Sequence, residues 1–290
     1  MFHCFTGGVT RSFHLTAGRL CVTRLCAALV LAGLVGVSAP AADNAEDSAD
    51  GRGFYGDPIR FDLRVGAWLP QTRTNEKTSN TADDRVNFNN LDVTPDNAFA
   101  VGEIDMTLMH RHRFRAEYWD STSSGKKFLA NNITWNGTVF PASSNVESTI
   151  ELSALKLGYE FLLIDQSDLR LGLGGGALIF SSKSQMKLTS GATESTRKDD
   201  RTIWFLSGDL AFNLAFLELF GSVDTLSYGT AALFDARAGV AINFDIPSGA
   251  PVIAVGAGAD WRIWDARIDD DSMDAEWTVQ GLEVFLFVRF

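Results

Sequence analysis

Cysteine, histidine and proline are scarce in this chain, at 3, 4 and 7 of 290 residues. All three cysteines (Cys4, Cys21, Cys26) fall in the first 26 positions, so no disulfide framework can hold the remainder together. Two of the histidines, His3 and His14, sit in the same segment, leaving only His110 and His112 beyond it. That excludes a histidine-rich metal centre and starves any histidine-based acid–base site. Beyond the first 41 residues no apolar run approaches the roughly 20 residues a membrane-spanning helix needs. Helical periodicity is missing as well. Positive charge is short: 25 Lys+Arg face 36 Asp+Glu, which argues against nucleic acid as a partner.

What is present begins with an export signal. Arg11, Arg19 and Arg24 precede an apolar run from Leu25 to Val37, and Ala39-Pro40-Ala41 follows. A basic region, a short apolar region and a small-x-small site predict a secretory signal peptide over 1–41. Its removal takes three basic residues and no acid, so the exported chain carries 22 − 36 = −14. Residues 42–58 are acidic and small, and read as a flexible periplasmic tail. Residues 59–290 show no linker and no tandem repeat, and read as one domain.

Alternation with a period of two recurs through that domain. Ten segments put apolar residues on one face: Phe61–Leu69, Ala100–Leu108, Phe114–Tyr118, Leu155–Leu163, Leu169–Ile179, Trp204–Leu214, Leu217–Val223, Phe234–Phe244, Ile253–Ile263 and Leu282–Phe290. Most approach the 9–11 residues with which a tilted strand crosses a bilayer. Connections alternate. Short ones lie at His110-Arg111-His112, Ile164–Ser167, Ala215-Phe216 and Asp245–Ala250. Long ones span Pro70–Asn97, Asp120–Glu147, Ser181–Arg201 and Asp265–Glu276; Ser227–Ala231 is a short exception. The spacing predicts an all-β transmembrane antiparallel up-and-down barrel of ten strands, with periplasmic short turns and long external loops. Ile133, Trp135 and Val139 suggest an extra external hairpin, so eight or twelve strands are the alternatives.

The last strand ends on an aromatic, with Val284, Leu286, Val288 and Phe290 on one face. Such a terminus resembles the C-terminal signal of Gram-negative outer-membrane β-barrels, which the assembly machinery reads. Architecture and terminal signal together resemble small barrels of that class, OmpW-like in general type. The resemblance implies an outer-membrane location, contact with outer-membrane lipid and lipopolysaccharide, and a narrow barrel thought to admit small or apolar molecules. It carries over no functional residue.

The opposite parity of the same strands collects charge. Asp62, Arg64, Glu103, Asp105, Arg115, Glu117, Lys156, Glu160, Arg170, Asp209, Asp224, Asp235, Arg237, Asp260, Arg262, Glu283 and Arg289 all fall there, ten acidic and seven basic. Near-balance predicts an interior charge network that pairs with itself, more than a filter of one sign. Gly172, Gly174 and Gly176 share that parity. Being inside a strand with no helix after them, they make room for side chains crossing a lumen and do not form a nucleotide loop. The acidic stretch Asp269-Asp270-Asp271 with Asp265, Asp274 and Glu276 lacks calcium-loop spacing and reads as a solvated loop, as does Asp83-Asp84. Nothing predicts a catalytic residue, a cofactor or a metal site. The expected function is therefore a structural barrel or narrow passive channel for small solutes. The alternative is a plugged barrel whose external loops act as adhesin or receptor, with a lipid-modifying enzyme the least supported.

Overall fold

A computed structural model describes residues 58–77, 85–95, 98–246, 253–270 and 273–290. The predicted signal peptide and most of the tail lie outside these residues. Among the described residues fourteen strands occur in order: β1 (Ile59–Lys77), β2 (Arg85–Asn87), β3 (Thr94–Pro95), β4 (Phe99–Leu108), β5 (His112–Phe128), β6 (Ile133–Trp135), β7 (Thr138–Phe140), β8 (Asn145–Asp165), β9 (Leu169–Leu188), β10 (Glu194–Leu214), β11 (Leu217–Tyr228), β12 (Ala231–Ile246), β13 (Ile253–Asp270) and β14 (Met273–Arg289). Ten of them close a barrel. Each pairs antiparallel with its neighbour in the order β1-β4-β5-β8-β9-β10-β11-β12-β13-β14, and β14 returns to β1. The hairpin β6–β7 forms a separate two-stranded sheet. The extra hairpin suggested by Ile133, Trp135 and Val139 thus exists, but it adds nothing to the wall.

At one end the strands join through short turns, and both ends of the barrel chain lie there. Leu108–Arg111 closes with the Arg111 N–H donating to the Leu108 carbonyl at 3.1 Å, with Met109 and His110 in left-handed conformation. Phe290 hydrogen-bonds Phe61 in both directions (2.7 and 3.0 Å) and stacks on its ring at 5.6 Å. This is the turn end.

Side-chain alternation gives the wall two zones of opposite sense. Near the turn end, outward residues are apolar and exposed, for example Val65, Leu157, Leu173, Leu210, Phe244 and Leu286. Farther along each strand the outward face turns polar at a matching level. Tyr118, Leu155 and Ile179 are cross-strand neighbours, and the next outward row is Asp120, Ser153, Ser181 and Asp200. On the other side of the barrel Leu69 pairs Leu282, and Gln71 pairs Gln280. Beyond this level the wall continues as a crown.

Here the structure corrects the sequence reading. Much of what the sequence assigns to long loops is strand: 70–77, 120–128, 145–147, 181–188, 194–201, 265–270 and 273–276. The reason is burial on the inside. Val146, Ile150, Leu152, Phe180, Met186, Ile268, Trp277 and Val279 face into the crown and are 1% exposed or less. These segments thus keep a hydrophobic face, in the opposite phase to the band below.

Two inserts fill the crown. The segment after β1 forms a short 3₁₀ turn over Phe88–Leu91, started by the Asn87 side chain accepting from Asn89 N–H and stopped by Asp92 in left-handed conformation. It places Phe88 and Leu91 in the core. The β6–β7 hairpin turns through Asn136 and Gly137, both with positive φ, as its Asn-Gly sequence favours. It lays Trp135 and Phe140 into the same core, Trp135 edge-on to Phe88 at 5.7 Å.

Candidate functional site: the filled lumen

Inside the apolar band the inward-facing positions of the strands bring charges face to face. Arg289 meets Asp62 and Glu218 (2.5 Å each), and Glu218 lies 3.9 Å from Arg170. Arg170 and Arg113 share Asp209 (3.1 and 3.0 Å). Arg113 also pairs Glu160, which lies 3.4 Å from Arg115. Arg115 reaches Asp105 (3.2 Å) and Glu103 (3.4 Å). Arg237 grips both oxygens of Glu103 from across the barrel, at 2.7 and 2.9 Å. Arg64 spans Asp260 and Glu283. Arg262 joins Glu117 (2.5 Å) to Asp235 (2.6 Å), and Lys156 bridges Asp235 (2.6 Å) and Asp224 (2.7 Å).

Followed pair by pair, these groups form one connected lattice of eight cations and eleven carboxylates, an excess of three acids. All seventeen residues of the sequence-derived interior set lie in it. Arg113 and Glu218 are additional. Both share the inward parity of their strands, Arg113 with Arg115 and Glu117, Glu218 with Phe220 and Ser222. Arg60 pairs Asp165 at 3.1 Å as a separate contact by the turn end.

Such a lattice is expensive to desolvate and tolerable only when each charge has partners. Arg forks supply them, since a guanidinium can serve two carboxylates at once. Aromatic faces supply more: Arg64 lies 3.5 Å from the Phe285 ring centroid and Arg289 4.5 Å from that of Phe287. Bare glycines give the rings space. A Cβ on Gly258 would overlap the Phe285 ring, and one on Gly256 would overlap Phe287.

Above the lattice stands an aromatic cap. Trp119 packs edge-on against Trp68 (5.6 Å) and Trp264 (5.2 Å), and Phe99 touches both Trp68 and Trp119. All three tryptophans are 1% exposed or less. Arg262 stacks over Trp68 at 4.8 Å and is itself fully buried, so cap and lattice are contiguous. A polar cavity of about 60 Å³ remains in the turn-end half, among Arg64, Asp105, Arg115, Arg237, Phe287 and Arg289. It has room for roughly four waters at 10–15 Å³ each.

His110 and His112 sit at the turn end, away from the crown. His110 Nδ1 is 3.7 Å from Asp165, and His112 Nδ1 is 2.9 Å from the Tyr159 hydroxyl. Among the described residues no group of three or more His, Cys, Asp or Glu is placed to hold a metal. Asp269 of the acidic stretch pairs with Arg267. Asp83, Asp84 and Asp271 lie outside the described residues.

On the crown's outer face one cross-strand row alternates in charge. Lys126, Glu147, Lys187 and Glu194 are successive neighbours on β5, β8, β9 and β10. Glu147 accepts from Lys126 and lies 2.9 Å from Lys187, and these two hydrogen bonds hold its carboxyl below the usual carboxylate range. Val284, Leu286 and Val288 face outward on β14, and Phe290 directly follows the strand, within the apolar band.

No family model and no curated protein matches the chain. Solved structures with a similar outline include the outer-membrane protease OmpT of Escherichia coli (TM-score 0.48, 12% identity, covering 81% of this chain and 96% of that one). The attachment invasion locus protein Ail of Yersinia pestis is another (0.37, 9%, 81% and 100%), as is a Pseudomonas aeruginosa FadL homologue (0.35, 11%, 81% and 90%). They bring no functional residue to this chain.

Proposed function

We propose that this protein is an integral outer-membrane barrel whose lumen is permanently filled, and that it serves to anchor and present its crown at the cell surface as a binding platform. The observation that carries this reading is the Arg262–Trp68 contact, which joins a lattice of paired charges to a buried aromatic cap. The exposed apolar band has the chemistry of a lipid-facing surface. With short turns periplasmic, the crown is extracellular. Its first polar row then lies at the level of lipopolysaccharide headgroups, and the β14 face ending in Phe290 is the surface offered to the assembly machinery. No catalytic role is assigned.

Purified protein in a planar lipid bilayer tests the filled lumen. The expected result is a silent bilayer with a protein that is demonstrably folded. Reproducible discrete conductance steps would refute it and restore the narrow-channel reading.

A further inference from the structure

The crown wall is incomplete along one strand. β10 pairs β9 over Glu194–Phe212, but it pairs β11 only from Leu206 (with Thr225) to Leu214. β11 runs on to Tyr228 paired with β12 alone. From Glu194 to Phe205, β10 therefore has a strand neighbour on one side only, among the described residues.

The phase of the ladder says which groups face the open side. Leu188 N–H donates to the Thr193 carbonyl at 2.8 Å, so the odd residues of β10 bond to β9. The even residues Lys198, Asp200, Thr202 and Trp204 aim their N–H and C=O away from β9, along the open edge. Thr196 shows the same phase: its carbonyl accepts from the Asn136 side chain at 3.2 Å, so the β6–β7 hairpin tip closes the far end. The even residues also expose their side chains, Trp204 to 66%, and Tyr228 at the end of the shorter neighbour is 83% exposed.

We infer that the Lys198–Trp204 edge of β10 is a strand-addition site, which takes an extended segment of a protein partner as an antiparallel neighbour. Only a polypeptide backbone carries donors and acceptors at the spacing this edge presents. The outward side chains set the partner's sequence: an acid opposite Lys198, a base opposite Asp200, and an apolar residue opposite Trp204. On the free edge Lys198 and Asp200 pair with each other at 3.2 Å, so a strand that offers both complementary charges extends that pair, whereas one of like charge opposes it. This inference rests on the crown being a binding platform, yet a failed strand addition would leave the filled lumen, tested by conductance, untouched.

The test uses the full-length exported protein in lipid nanodiscs and amide exchange by NMR. The acetylated peptide Val-Ser-Thr-Ser-Lys-Ser-Glu, which sets Glu against Lys198 and Val against Trp204, is the probe. Without peptide, amides of Lys198, Asp200 and Thr202 should exchange at least about tenfold faster than those of Arg197, Asp199 and Arg201. Millimolar peptide should slow the first set about tenfold. Thr202→Pro removes one edge N–H without touching the β9 ladder, so it should fold and bind peptide about tenfold more weakly. Arg201→Pro, which breaks the inner ladder, should instead loosen the crown. Equal exchange in the two sets, or no slowing by peptide, overturns the inference. Slowing that follows protein concentration without peptide also overturns it, by assigning the edge to a second copy of this chain.

Discussion

Replacing Arg262 with methionine isolates what the charge lattice contributes. The guanidinium donates to Asp235 at 2.9 and 2.6 Å and to Glu117 at 2.5 Å, with Glu283 3.7 Å away. Three hydrogen bonds to ionised oxygens are worth about 1.5–3 kcal/mol each, a gross loss of about 4.5–9. Methionine keeps the contact with Trp68, and Lys156 at 2.6 Å still partly neutralises Asp235, so the net loss should be about 3–5 kcal/mol. With a urea dependence of about 2 kcal/mol per molar, the unfolding midpoint should drop by roughly 2 M. Reversible unfolding in lipid vesicles, followed by tryptophan fluorescence, reads this directly. Adding Glu117→Gln to Arg262→Met should cost at least about 1 kcal/mol less than the two single changes summed, because it removes a carboxylate that has lost its hydrogen-bonded guanidinium and keeps only the longer contacts to Lys156 (3.5 Å) and Arg237 (3.8 Å). A single-variant loss below about 1 kcal/mol, or strict additivity, would refute the idea that these charges depend on one another.

Three further outcomes follow from the same contacts. Gly258→Ala should destabilise by about 1–3 kcal/mol, because the new Cβ overlaps the Phe285 ring and approaches the Val240 carbonyl oxygen at 2.6 Å; Phe285→Leu in the same chain should return part of it, as read in the same unfolding assay. Glu147, with its carboxyl held below the usual value, stabilises the β5–β8–β9 junction above the ordinary carboxylate range. That contribution should disappear as pH falls through the lowered value, seen as faster amide exchange at Lys126 and Lys187, and Glu147→Gln should abolish the pH response. Arg262→Met should leave the bilayer silent, because the three-tryptophan cap remains; discrete steps in that variant would place the seal in the lattice alone.

The barrel was legible because lipid imposes one rule on every strand. Leu155, Leu157 and Tyr159 face out, so Lys156 must face in, and the same arithmetic places charge opposite charge around the ring. The crown obeys a different rule. Above Ser153 the outward residues are Glu151, Thr149 and Glu147, which read as loop if apolar means lipid-facing. The signal was the switch along the inward parity: Arg115 and Glu117 are followed by Trp119, Asp260 and Arg262 by Trp264, Asp62 and Arg64 by Trp68. These three strands thus record a charged storey and then an aromatic one. The open edge of β10 has no such trace. It arises because β11 and β12 turn early at Tyr228–Ala231 while β9 and β10 continue, a comparison of lengths that only pairing partners supply.

The reversal of sidedness also bears on how the protein reaches its membrane. A barrel with short external loops need only push polar tips through the bilayer. On the proposed orientation, whole strand extensions, with Lys126, Glu147, Lys187 and Glu194 outside and Trp277 inside, together with the β6–β7 insert carrying Trp135 and Phe140, must traverse it before their core can close. Spontaneous insertion into synthetic vesicles should therefore be slow and limited by translocation of the crown. Thinner bilayers, and the cell's own insertion machinery, should speed it far more than they speed insertion of barrels lacking such an extension.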